Sequence, residues 1–338
     1  MISLAMRRFL VCVVVALALP AVAQAEARVV AFYYPWYGTT ALDGSYQHWS
    51  QNGHVPPYDI ASSYYPARGV YSSSDKQVLA AQMDDIRGAG IDEIAVSWWG
   101  QGSAEDQRLP AVMAAARADG IRVAAHLEPY SGRSVASTVA DVAYLRALGV
   151  TTFYVYRAPD FPASDWAAAK PALHKGGVIL LAQTALAGWA AAAGFDGLYT
   201  YDILTYGGDK FARICDEAHA MHLLCEPSVG PGYIARRGDG DQRVKPRRNG
   251  RTYDAMWAAA IQAKADIVTI TSYNEWHEGT QIEPAAPPGR QGGYRYASYD
   301  GAFGLHGADA ERAYLDRTLY WVGVYRKTLE QHPKRRAS

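Results

Sequence analysis

The feature that most constrains this chain is a strict alternation of short apolar runs with helix-forming stretches, repeated eight times between residues 28 and 330. Strand-like runs lie at 28–33, 93–97, 121–126, 152–156, 177–182, 197–201, 222–226 and 265–270. They are short, rich in Val, Ile, Ala and Tyr, and apolar on both faces, as strands covered on two sides require. Helical stretches follow at 76–88, 105–119, 134–148, 162–170, 185–193, 209–221, 252–264 and 309–330, the first behind the capping residue Asp75. A helix between two strands returns the chain to the same end of the sheet, so the strands are parallel. Eight such units predict an α/β fold of the (β/α)8 TIM type, a single domain with long βα loops. A doubly wound open sheet is the competing arrangement, but no Gly-x-Gly-x-x-Gly turn follows the first strand.

The ends of the chain fall outside this pattern. Met6-Arg7-Arg8, an apolar stretch from Phe9 to Leu19 and the small-x-small Ala23-Gln24-Ala25 predict a signal peptide over 1–25. The expectation is an exported protein, secreted or periplasmic, with a catalytic domain over 26–332, no membrane anchor after cleavage and a solvated basic tail at 333–338. Of three cysteines, Cys12 falls in the signal; Cys215 and Cys225 remain, either bridged or as two buried thiols. No Cys/His cluster has zinc spacing, and no metal or cofactor is expected. With 33 basic and 33 acidic side chains the chain has no overall field to recruit nucleic acid. Its 24 Tyr and 9 Trp against 7 Phe favour flat faces with polar tips, which suit sugar rings; a Tyr-rich core is the plainer reading.

In a barrel every strand's C-terminal end opens on one mouth, where active sites sit. Just past those ends stand Tyr34, Trp99, Glu128, Tyr156, Tyr201, Tyr233 and Glu275. The last strand runs straight into Thr271-Ser272-Tyr273-Asn274-Glu275-Trp276-His277-Glu278-Gly279-Thr280-Gln281-Ile282-Glu283-Pro284. Burying carboxylates among aromatics is costly unless they are paired or used. Glu275 and Glu278, three apart, face one side if a helical turn opens the loop. Glycoside hydrolysis needs such a pair, one acid for the leaving oxygen and one carboxylate opposite. The bland alternative is a satisfied polar loop. A metal site of Glu275, His277 and Glu278 lacks common ligand spacing.

The run Ser272 to Glu283 closely resembles the signature of glycoside hydrolase family 99, the endo-α-1,2-mannosidases and mannanases. Tyr34-Pro35-Trp36-Tyr37-Gly38, His126-Leu127-Glu128-Pro129-Tyr130, Phe195-Asp196-Gly197-Leu198-Tyr199-Thr200-Tyr201, Ser228-Val229-Gly230-Pro231-Gly232-Tyr233 and Arg248-Asn249-Gly250 also fit. The resemblance runs from about residue 30 to 285 and implies a (β/α)8 barrel. It implies endo-acting, retaining cleavage of α-1,2-mannosides through a 1,2-anhydro sugar, with Glu275 as base and Glu278 as acid and then base. It places Glu128 and Tyr201 on the sugar whose bond breaks and Trp99 as a platform for the preceding sugar, with Tyr34 lining the site. Tyr199 shares a strand face with Tyr201 and is an alternative to it. Likewise Trp98 and Trp99 compete for the core position. Asn274 is expected to orient Glu275 or a hydroxyl, and His277 to tune either acid or pack. Arg236 or Arg237 is a candidate for the leaving-side sugar. Tyr156 matches a strand end of the family, but Arg157-Ala158-Pro159 replaces its Asp-Ser-Tyr, and a segment before Phe153 found in animal relatives is missing, so the preceding-sugar side differs. The expected partner is an oligosaccharide or polysaccharide met by a monomer. A catalytically silent sugar binder, or a glycosidase for another α-linked glycan, would use the same cleft; retention of both acids counts against the binder.

Overall fold

The computed structural model describes residues 28–331; the stretches expected to be a signal peptide and a basic tail lie outside them. Eight barrel strands appear: β1 (Arg28–Tyr33), β2 (Glu93–Trp98), β3 (Arg122–Leu127), β4 (Thr152–Val155), β5 (Ile179–Gln183), β6 (Gly197–Tyr199), β7 in two segments (Leu224–Glu226 and Ser228–Val229) and β8 (Ile267–Ile270). All their pairings are parallel. The barrel helices are α1 (Lys76–Gly88), α2 (Ala104–Ala118), α3 (Val135–Ala147), α4 (Ala163–Leu173), α5 (Ala187–Ala193), α6 (Phe211–Ala220), α7 (Arg251–Gln262) and α8 (Ala313–Gln331). One helix follows each strand, as the alternation predicts.

Closure runs through β7, which Pro227 divides into two segments, a feature the sequence pattern does not anticipate. The first segment of β7 pairs with β6 and the second with β8; Cys225 O in the first also accepts from Asp266 N at 3.0 Å, and Ser228 N in the second donates to Thr200 Oγ1 at 2.9 Å, so β7 joins the two strands on both sides of the proline. Pro227 has no N–H to offer, but its carbonyl accepts from Thr269 N at 3.2 Å. Since β1 pairs with both β2 and β8, the sheet closes on itself and leaves no free edge.

Aromatic rings fill the barrel. Phe32 lies 4.7 Å from His126 and 5.6 Å from Tyr199, ring centre to ring centre, and Tyr199 lies 5.1 Å from Tyr154. Burying polar tips requires partners: Tyr199 shares a 2.9 Å hydrogen bond with His126 Nε2, and Tyr154 donates to Glu226 at 2.8 Å. Cys215 on α6 and Cys225 on β7 form a disulfide, which settles the open alternative in favour of the bridge.

Loop 39–74 is folded against the mouth rather than free. Trp49 is buried, stacks on Tyr37 at 4.1 Å and donates its indole N–H to Tyr71 O at 2.8 Å. Arg108 on α2 clamps the loop from outside through Asp43 (2.8 Å) and the Pro35 carbonyl (3.0 Å).

Candidate active site

The chain leaves β8 through a cis Thr271–Ser272 peptide bond and closes into a ring. Ser272 is its hub. The Ser272 hydroxyl accepts from Glu275 N at 2.8 Å and lies 2.9 Å from Thr280 Oγ1, while Ser272 N donates to Thr280 O at 3.0 Å. A turn with Gly279 N on Trp276 O (3.3 Å) follows Glu275, and the backbone N–H of Glu278 reaches the Glu275 carboxylate.

The two acids differ. Glu275 is buried, and its Oε1 accepts the amides of His277 (2.9 Å) and Glu278 (3.4 Å). Glu278 is half-buried, and among the described residues no hydrogen bond reaches its carboxylate. Burial raises both above the usual carboxylate range; the charge of Glu278 adds to the shift of Glu275, and the charges of Asp239, Asp202 and Glu128 push Glu278 up to about 8. Such neighbours titrate as a pair. The two amide donors favour the charged form of Glu275, and Glu278 has no such donor. His277 is buried and neutral, its pKa lowered to about 4 by burial; its Nε2 lies 2.8 Å from His48 O and its Nδ1 3.8 Å from Glu275 Oε1.

Around the pair the aromatic side chains sort themselves. The hydroxyls of Tyr34 and Tyr201 are hydrogen-bonded to each other. Tyr201 takes a left-handed backbone conformation (φ 50°), stacks on His126 at 5.3 Å and meets Tyr156 edge-on at 5.2 Å. Burial raises the phenol pKa of Tyr34, Tyr201 and Tyr156, and the nearby glutamates raise it further, so all three remain hydrogen-bond donors. Tyr199 is committed to His126 below them; Tyr201 is the residue at the mouth. Tyr233 donates to Asp241 at 2.9 Å; burial raises its phenol pKa, and the charges of Glu278 and Asp241 raise it further.

Trp98 is buried and donates to Asp106 at 2.9 Å, whereas Trp99 is 37% exposed. The Trp99 indole donates to Ser97 Oγ at 3.1 Å, and that hydroxyl donates to Glu128 Oε1 at 2.8 Å. Glu128 Oε1 also lies 3.1 Å from His126 Nδ1. Thus Ser97, which the sequence reading passed over, joins the exposed Trp to a buried acid; its inward alternation with Glu93 and Ala95 on β2 is the available signal.

Two expected roles read differently in the structure. Asn274 is fully buried; its Oδ1 accepts from Tyr34 N (2.8 Å) and its Nδ2 donates to Tyr34 O (3.0 Å), so it anchors Tyr34 rather than Glu275. Arg237 is tied to Asp59 and to Ile60 O and Ser62 O and stacks on Tyr294 at 3.8 Å, whereas its neighbour Arg236 is exposed. At the departure from the family pattern, Arg157 pairs with Asp160 at 2.9 Å. Among the described residues no group of three or more His, Cys, Asp or Glu is arranged to hold a metal ion, and no helix is long and apolar enough to cross a membrane.

The profile of Glycosyl hydrolase family 99 matches residues 24–327. A glycoprotein endo-α-1,2-mannosidase-like protein of Danio rerio is 34% identical over 89% of this chain and 78% of its own length. The glycoprotein endo-α-1,2-mannosidase of Rattus norvegicus is 32% identical over 77% of this chain and 68% of its own. Among solved structures, the family 99 endo-α-mannosidase of Bacteroides thetaiotaomicron superposes with a TM-score of 0.80 at 30% identity, covering 89% of this chain and 98% of that one. The chain belongs to glycosyl hydrolase family 99 and is a glycoside hydrolase with a glycan substrate.

Proposed function

We propose that this glycoside hydrolase is an endo-acting, retaining enzyme for α-1,2-linked mannosides, in mannan or in mannose-containing glycans. The activities of its relatives support the linkage. The observation that carries the mechanism is the asymmetry of the acid pair, two amides on Glu275 and none on the more open Glu278.

The substrate's geometry supplies the nucleophile. In an α-mannoside the axial 2-hydroxyl lies opposite the leaving group, so O2 can attack the anomeric carbon in line. Glu275 takes the 2-hydroxyl proton as O2 bonds to C1; the C1–O bond to the leaving sugar breaks, and Glu278 gives that oxygen its proton. The product of this step is a 1,2-anhydro sugar. Glu278, now ionised, takes a proton from water as the water oxygen attacks C1; the C1–O2 bond opens, and Glu275 returns its proton to O2. Two inversions give retention, and no bond forms between enzyme and sugar. Glu128 and Tyr201 hold the sugar undergoing cleavage, with Tyr34, Tyr156 and Tyr233 lining the cleft and Trp99 stacking on the preceding sugar. The disulfide supports work outside a reducing cytoplasm, secreted or periplasmic.

The test is incubation with α-1,2-branched mannan beside the Glu278→Gln variant, with released products analysed. Oligosaccharides from the wild type and none from the variant are expected. A wild type that binds the glycan but releases nothing would turn the reading to a binder or another glycan.

A further inference from the structure

Arg247 is the one buried arginine beside the acid-bearing ring, and the mechanism above does not use it. It lies in the loop after β7, just ahead of α7, with its side chain about nine-tenths buried. No carboxylate lies within ion-pair distance of it among the described residues. Three tyrosine rings enclose the guanidinium instead, with centres 4.7 Å (Tyr64), 4.7 Å (Tyr299) and 4.5 Å (Tyr314) from Cζ. Tyrosine faces stabilise a desolvated cation through their quadrupoles, but a buried arginine held by rings alone is poor value for stability, since an apolar side chain of like volume packs there without desolvating a charge. The placement calls for another explanation.

Its hydrogen bonds provide one. Arg247 Nη2 donates to Gly279 O at 2.9 Å and to Gln281 O at 2.7 Å. Gly279 follows Glu278 directly. The same turn is held from the other side by Ile234 N on the Glu278 carbonyl at 2.8 Å, and Tyr299 adds a second donor to Gln281 O at 3.0 Å. Two glycines make room for this clamp. Gly279 has φ +65°, and a Cβ there would meet Ile234 Cγ2 at 2.8 Å; a Cβ on Gly232 would meet Arg247 Cγ at 2.7 Å. Glu278 itself accepts no hydrogen bond on its carboxylate, so its position depends on the backbone that carries it.

We propose that Arg247 is a positioning residue that fixes Glu278 over the leaving-group oxygen by clamping the backbone on its C-terminal side. One nitrogen, Nη2, reaches both carbonyls, Nε and Nη1 find no hydrogen-bond partner among the described residues, and the flat faces of the guanidinium lie against the rings, a stacking that a compact ammonium does not reproduce. Misplacement of an acid by about 1 Å costs on the order of 10²-fold in rate. The proposal rests on Glu278 acting as the acid, so the wild type and Glu278→Gln are run alongside on the same mannan to test that reading separately.

The variant is Arg247→Met, which keeps the packing against the rings and removes the donor. The expected result is a melting temperature near that of the wild type, kcat lower by about 10²-fold and KM within about threefold. Arg247→Lys should recover only part of the loss, and methylguanidinium added to Arg247→Ala should raise kcat. A folded Met variant with kcat within threefold of the wild type overturns the proposal, as does a loss confined to KM. If the Met variant does not fold, a Lys variant at full kcat, or a folded Ala variant that methylguanidinium leaves unchanged, overturns it equally.

Discussion

Glu283 and Glu278 stand five residues apart on the same loop and are treated oppositely by the fold. Glu283 is fully buried and takes donors on both oxygens: Gln82 Nε2 (2.8 Å) and Arg68 Nε (3.4 Å) on Oε1, Tyr71 OH (2.8 Å) and Trp276 Nε1 (2.9 Å) on Oε2. Its charge is spent on knitting α1 and the long first loop to the mouth. Glu278 receives no donor and keeps an opening to the cleft. A buried carboxylate with every lone pair engaged has no capacity left for a substrate, whereas one left undonated is costly to the fold and free to exchange a proton. The comparison separates scaffold from chemistry within one short segment.

Four variants can break that comparison. The largest effect belongs to the acid pair: Glu275→Gln should lower kcat by on the order of 10³-fold while leaving the urea midpoint close to that of the wild type. Next comes Glu283→Ala, which strands an arginine, a tyrosine, a glutamine and an indole N–H; unfolding stability should fall by about 3–5 kcal/mol, measured by urea titration. If Glu283→Ala instead spared stability and abolished turnover, the roles would be reversed. The Cys215→Ala/Cys225→Ala pair lies between α6 and β7, away from the loop, and should cost about 2–3 kcal/mol for its ten-residue separation without moving kcat.

The smallest effect is one of sign. The folded pKa of Glu278 is raised to about 8 by burial first and by neighbouring charges next. A carboxyl group with a raised folded pKa binds more protons in the native state, so its contribution is favourable below its unfolded value and is lost as pH rises towards 8. Glu278→Gln should therefore match the wild type in urea midpoint near pH 4 and exceed it at pH 9. The same titration should turn down wild-type turnover above about pH 8, where Glu278 loses its proton.

The barrel was legible because its signals are local. Alternation of apolar runs and helices needs only a window of residues, and Asp75 caps its helix by accepting from Gln77 N at 2.8 Å, as the sequence predicts. The spacing of Glu275 and Glu278 drew attention to the loop that carries them. What escaped depends on contacts across the chain. Tyr71 and Gln82 reach Glu283 over separations of 212 and 201 residues; no local pattern marks Glu283 as satisfied and Glu278 as not. The choice between Tyr199 and Tyr201, and between Trp98 and Trp99, turned on which member of each pair found a buried partner. Asn274 looked like a partner of Glu275 because it precedes it, yet its amide is matched to the backbone of Tyr34, 240 residues away. The division of β7 at Pro227 was hidden for the same reason.

The most direct test of the division between Glu275 and Glu278 uses a substrate whose leaving group needs no proton, an α-mannobiosyl fluoride whose preceding sugar is joined elsewhere than O2, so that the 2-hydroxyl of the reacting mannose is free. Fluoride departs without general acid help, so Glu278→Gln should consume this substrate at a first-turnover rate near that of the wild type. Glu275→Gln should remain on the order of 10³-fold slower, because the 2-hydroxyl still has to lose its proton. Equal rescue of both variants, or rescue of Glu275→Gln alone, would contradict the assignment of base and acid.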